Sequence, residues 1–200
     1  MKSIRLAALS TAAMLALPLA AHAQSATPWQ GFYAGLNAGG IFSSTSTSRG
    51  LSGSGAGFTG GVQGGYNWML GPVMLGGEID FQGSTETSSL SGGPGFVNST
   101  EAIPWYSTMR ARVGYPVGRV MPYVTGGAVW GNQTVSGYNT SNGATFGSSN
   151  NFWTYTFGAG VEGQVAQGWT AKLEYLWIGS PRDDERSIGN VVRVGLNYHF

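Results

Sequence analysis

Eight charged residues sit inside strand-like segments of this chain: Glu78, Asp80, Arg110, Arg112, Glu162, Lys172, Glu174 and Arg193. Each alternates with apolar or aromatic neighbours. Glu78 and Asp80 fall between Leu75, Ile79 and Phe81, and Arg110 and Arg112 between Met109, Ala111 and Val113. Successive strand side chains point to opposite faces, so all eight charges belong to one polar face. Four carboxylates and four cations sum to zero. They can pair as a salt-bridge plug or line a water path as an ion filter. Removing one partner from a buried pair costs roughly 3–5 kcal/mol, so the plug is the preferred reading and the filter its alternative.

Other chemistry is sparse. Residues 1–23 read as a cleaved signal peptide: Lys2 and Arg5 open it, a short apolar run interrupted by Pro18 follows, and Ala21-His22-Ala23 ends it. His22 would leave with it, making His199 the last histidine, on the polar parity at the very end of the chain. That position suits a rim residue and not the base of a Ser-His-acid site. One histidine and no cysteine exclude a usual zinc site. The run Arg182-Asp183-Asp184-Glu185-Arg186 reads as a solvated loop tip, with a divalent-cation or lipopolysaccharide contact as the alternative. Gly53-Ser54-Gly55-Ala56-Gly57 has no following helix and no nearby lysine, so it reads as a flexible loop and not a phosphate cradle. Asn98-Ser99-Thr100 fits a glycosylation pattern without further support. No catalytic residues, metal ligands or cofactor are expected.

Eight segments of strand length can carry these residues: Gly31–Phe42, Gly57–Trp68, Val73–Gln82, Pro104–Tyr115, Val120–Gln133, Asn151–Val165, Trp169–Trp177 and Ser187–Phe200. The long connections are Ser43–Ala56, Gly83–Ile103, Thr134–Asn150 and Ile178–Arg186; the short ones are Met69–Pro72, Pro116–Arg119 and Ala166–Gly168. The long ones are Ser-, Thr-, Gly- and Asn-rich and are expected to be mobile. In the fifth segment either Pro122, Val124, Ala128 and Trp130 or Met121, Tyr123, Thr125 and Val129 could face outward.

Charged residues make up 10% of the chain, against roughly 25% in soluble proteins, and Gly accounts for 34 of 200 residues. Taking Lys2 and Arg5 from the ten basic residues leaves eight against nine acidic, a net charge of −1 that argues against nucleic acid as a partner. A soluble barrel would turn the polar parity to water, yet that parity is poor in charge and carries Gly35, Gly39, Gly61, Gly65, Gly76, Gly114, Gly158, Gly160 and Gly195. Small residues suit the crowded interior of a narrow barrel. The apolar parity carries Trp68, Trp105, Tyr115, Trp153, Trp169, Trp177, Tyr198 and Phe200 near strand ends, as an aromatic girdle would. The fold class read from this is all-β: an eight-stranded antiparallel up-and-down transmembrane β-barrel over residues 24–200, with short periplasmic turns and long extracellular loops.

Trp29-Gln30-Gly31-Phe32-Tyr33-Ala34-Gly35-Leu36-Asn37-Ala38-Gly39, Pro122-Tyr123-Val124-Thr125-Gly126-Gly127-Ala128 and Val191-Val192-Arg193-Val194-Gly195-Leu196-Asn197-Tyr198-His199-Phe200 resemble the first, fifth and closing strands of the small alphaproteobacterial outer-membrane β-barrel proteins. That family includes the porin-like 25/31-kDa surface antigens and the haemin-binding outer-membrane proteins. The resemblance implies an outer-membrane protein that supports envelope integrity and presents surface loops to the exterior. Its partners would be outer-membrane lipid and lipopolysaccharide, and the barrel-insertion machinery, which would recognise Phe200 and Tyr198. A narrow small-solute porin is the second reading. The third is a loop-mediated adhesin or ligand binder, in which haemin would meet loop aromatics such as Tyr138 and Phe146. Nothing in the sequence fixes an oligomeric state.

Overall fold

The computed structural model describes residues 29–47, 52–90, 97–139, 145–179 and 185–200. The expected signal peptide and Arg182 to Asp184 lie outside them. Eight strands follow in order: β1 (Gly31–Thr47), β2 (Ser52–Leu70), β3 (Val73–Leu90), β4 (Val97–Gly114), β5 (Val120–Asn139), β6 (Thr145–Ala166), β7 (Trp169–Ile178) and β8 (Glu185–His199). Each pairs antiparallel with its sequence neighbour. β1 also pairs with β8, from Tyr33 opposite His199 to Thr47 opposite Glu185, so the sheet closes and has no free edge around the ring.

Three tight turns define one end. Gly71, Gly118 and Gly168 hold φ of 63°, 62° and 73° there, a left-handed conformation that glycine adopts without steric cost. At the opposite end the strands run further than the sequence suggests. Most of the stretches read as long connections, including Ser43–Thr47, Ser52–Ala56, Gly83–Leu90, Val97–Ile103, Thr134–Asn139 and Thr145–Asn150, are strand. The glycine-rich stretch at 53–57, expected as a flexible loop, lies within β2 and pairs rung by rung with Ile41 to Thr45. Apolar alternation marks only where a strand meets lipid or core. Backbone pairing needs no apolar side chain, so the ladder continues into Ser/Thr segments once a neighbour holds the register.

Outside, the wall is apolar: Ile79 is 57% and Met109 63% exposed, with Leu36, Val62, Val124, Phe157, Leu173 and Val194 also exposed. The fifth strand is settled by burial, since Met121, Tyr123, Thr125 and Val129 point inward while Pro122, Val124 and Trp130 face out. Inside, the residues stack in layers. Trp29, Met74 and Met121 close the turn end. A polar layer containing the eight charges follows, and then an apolar layer of Ile41, Tyr106, Val129, Leu176 and Val191. Above it lies a polar rim.

Candidate functional site

The eight charges project into the lumen from β3, β4, β6, β7 and β8, because all lie on the inward parity a few residues above the turns. Register already matches opposite signs: Glu78 is opposite Arg110, Glu162 opposite Lys172, and Glu174 opposite Arg193. The side chains then reach beyond these neighbours. Glu78 binds Arg110, lies 3.2 Å from Arg112 Nη1, and receives Lys172 Nζ at 3.0 and 2.9 Å. Asp80 accepts from Arg110 Nη2 at 2.8 Å, Arg193 Nη2 at 2.9 Å and Thr108 Oγ1 at 2.8 Å. Glu174 holds Arg193 at 2.7 Å and Arg110 Nη1 at 3.1 Å. Glu162 holds Arg112 Nη2 at 2.6 Å and accepts from Thr170 Oγ1 at 2.5 Å and Asn197 Nδ2 at 2.8 Å. All eight side chains are 0% exposed.

Two tyrosines complete the layer. Tyr33 Oη donates to Glu78 Oε2 at 2.7 Å and accepts from Arg112 Nη1 at 2.7 Å; Tyr123 Oη donates to Glu174 Oε1 at 2.8 Å. The Arg112 guanidinium carbon lies 5.5 Å from the Tyr33 ring centre and 4.1 Å from that of Tyr123, within cation–π range. Neither ring is legible as part of the belt from charge alone, although both share its parity. Inward glycines make their room. A Cβ at Gly65 would lie 2.7 Å from Cζ of Tyr33, and one at Gly160 2.6 Å from Cζ of Tyr123.

His199 lies at the turn end, as its parity suggests. Its ring stacks on Tyr33 with centroids 5.3 Å apart, and Nε2 is 3.2 Å from Thr170 Oγ1 and 3.5 Å from Glu162 Oε1. Tyr33, Thr170 and Glu162, the groups that contact the ring, are all buried. Among the described residues no group of three or more His, Cys, Asp or Glu side chains could hold a metal.

The outward aromatics fall into two tiers. Near the turns, Trp68 packs on Tyr66 at 4.6 Å, Trp169 on Tyr198 at 5.2 Å and Tyr198 on Phe200 at 5.3 Å, while Tyr115 is exposed beyond β4. Toward the other end Phe81, Trp105, Trp130 and Trp153 form a continuous ribbon across β3 to β6, with centroid separations of 5.7, 5.3 and 5.8 Å, and Trp177 packs on Tyr155 at 5.7 Å. Trp169 and Trp177 are eight residues apart on β7, about 26 Å along a strand. At a tilt of about 40° that is about 20 Å of height, close to the apolar band of an outer-membrane barrel.

The profile described as "Outer membrane protein beta-barrel domain" matches residues 9–200. The 31 kDa outer-membrane immunogenic protein of Brucella melitensis is 38% identical over 205 residues, covering 86% of this chain and 84% of that protein. The 22 kDa outer membrane protein of Rhizobium leguminosarum bv. viciae is 35% identical over 185 residues, covering 86% and 78%. Among solved structures, the attachment invasion locus protein Ail of Yersinia pestis, in complex with the heparin analogue sucrose octasulfate, aligns with a TM-score of 0.49 at 14% identity, covering 84% of this chain and 99% of Ail.

Proposed function

The chain belongs to the outer membrane protein β-barrel domain family, and on that premise we propose that it is a sealed structural barrel that supports envelope integrity and presents a strand-built rim to the exterior. It is a protein of the bacterial outer membrane with transmembrane strands. The three turns then face the periplasm and the extended strands the outside, as is usual for such barrels. The observation that carries the reading is the belt. Lys172 on β7 meets Glu78 on β3, and Arg193 on β8 meets Asp80 on β3, so ion pairs span the lumen at contact distance. Apolar layers lie above and below them. A conducting pore needs charges that keep their water, and side chains with 0% exposure keep none.

The outward apolar wall and its aromatic tiers suit outer-membrane lipid, with the upper ribbon at the level of lipopolysaccharide headgroups. The exposure of Tyr198 and Phe200 at the end of the chain supports the reading that the insertion machinery recognises them. The name of the Brucella relatives, an immunogenic outer-membrane protein, is consistent with a rim that antibodies reach. Of the aromatics suggested for haemin, Phe146 is exposed on β6, while the Tyr138 side chain lies outside the described residues.

Single-channel recording of the refolded mature protein in a planar bilayer tests the reading, beside an Arg110→Ala, Arg112→Ala variant. The sealed barrel gives no discrete openings in the wild type. Openings whose size or ion preference changes in the variant would replace it with a pore in which the belt is the filter.

A further inference from the structure

Above the apolar layer, two register irregularities lie side by side, between Gly83 and Glu86 in β3 and between Ala102 and Trp105 in β4. A bulge changes which side chains a strand turns to each face. In β4 the inward set is even-numbered from Arg112 to Tyr106. Beyond the bulge it is odd-numbered, and Ile103 packs on the inner apolar layer. Glu101 shares the parity of Ile103 and accepts from Gln133 Nε2 at 3.0 Å. Glu86 on β3 is buried and accepts from Ser43 Oγ at 2.5 Å. A Cβ built on Gly55 would lie 2.7 Å from Ser43 Oγ and 2.9 Å from Ser88 Cβ, and would touch Glu86 Oε1, so three side chains converge on that space. Ser88 is 4% exposed and its hydroxyl has no partner.

We propose that Glu86 and Glu101, with the hydroxyls of Ser43 and Ser88, bind a hard divalent cation of the calcium type at the extracellular end of the lumen. The site lies above the belt, and the proposal holds whether or not the barrel conducts. Glu101 stands directly opposite Ser88 in the β3–β4 register, one inward rung beyond the Glu86–Ile103 pair, and among the described residues no Lys or Arg contacts either carboxylate. Carboxylate and hydroxyl oxygens, without sulfur or imidazole, select a hard cation. Burial and then the Glu101 charge hold the Glu86 carboxyl above its ordinary pKa, an energetic cost that a bound cation removes. With only two carboxylates, the affinity expected is that of extracellular calcium modules, a Kd of about 10⁻⁴–10⁻³ M.

The test is terbium luminescence of the full mature barrel, refolded in detergent without lipopolysaccharide and displaced by calcium. One saturable site is expected, weakened about tenfold or more in Glu86→Gln and in Glu101→Gln, since affinity follows the ligand charge count, and unchanged in Asp183→Asn, Asp184→Asn. Binding that survives both glutamate substitutions, or that disappears with the aspartates, overturns the proposal. Hydrogen exchange on the wild type keeps it falsifiable should either glutamine variant fail to fold. Calcium is expected to slow exchange around Glu86 and Glu101, and equal rates with calcium and with chelator overturn the site.

Discussion

The Nζ of Lys172 sits 3.0 and 2.9 Å from the two carboxylate oxygens of Glu78, although β7 and β3 stand opposite one another in the closed ring. The pair joins two walls that share no backbone hydrogen bonds. Lys172→Met should therefore destabilise the barrel by about 3–5 kcal/mol, because Glu78 keeps Arg110 and Arg112 but the buried network is left with one negative charge in excess. Pairing it with Glu78→Gln should recover part of the loss. Urea unfolding of the four members of that cycle measures the coupling, and additive effects would mean the contact contributes nothing.

Arg110 touches Glu78, Asp80 and Glu174 together. Arg110→Ala should cost more stability than Phe146→Ala on the exposed rim. A rim substitution away from such features usually changes stability by no more than about 0.5 kcal/mol. Equal urea midpoints for the two variants would contradict the role given to the belt.

Gly160→Val should lower the folded yield. Its first added carbon would meet the Tyr123 ring and the Leu173 carbonyl oxygen, at 2.6 and 2.7 Å. Overpacking of this kind costs about 1–3 kcal/mol. Heat-modifiable migration on a gel reports it, with Gly77→Val as the control, since a Cβ at Gly77 meets nothing within 4 Å.

Glu86 gives a pH dependence of known sign. Its folded pKa is raised above 4.5, so between 4.5 and the raised value the folded chain holds more protons than the unfolded one. Stability contributed by this group is full below 4.5 and falls as pH rises through the folded value. Without calcium, Glu86→Gln should be more stable than the wild type at neutral pH, with the gap closing as pH approaches 4.5. A gap that widens on acidification would reverse the assignment.

Phe200→Ala should slow assembly in cells while leaving the stability of the detergent-refolded barrel almost unchanged. The ring is exposed and, among the described aromatics, packs only on Tyr198. Comparable levels of folded variant and wild type in isolated outer membranes would remove the assembly role from this residue.

The belt was legible because charge is scarce in this chain and parity is binary. Glu78, Asp80, Arg110 and Arg112 could sit only on the face opposite Ile79 and Met109. Glu101 was not legible as inward, because the bulge beside it shifts parity without any change in composition. Tyr123 lay in a segment where both faces are apolar enough to meet lipid, so only packing against Gly160 and Arg112 decides its direction. The long connections were misjudged for a related reason. Ser43 to Ser46 carries no apolar alternation, yet its backbone pairs with β2 and β8 alike.

The pairing of opposite signs between adjacent strands also bears on how the barrel is built. Glu78 and Arg110, Glu162 and Lys172, and Glu174 and Arg193 are each partners across a single hairpin or strand pair. Each newly added strand pair can thus carry its charges in neutral couples while the sheet is still open. The exchange of partners that ties Lys172 to Glu78 and Arg193 to Asp80 becomes possible only when the two edges of the sheet meet. Closure is therefore the step at which the separate couples merge into one network.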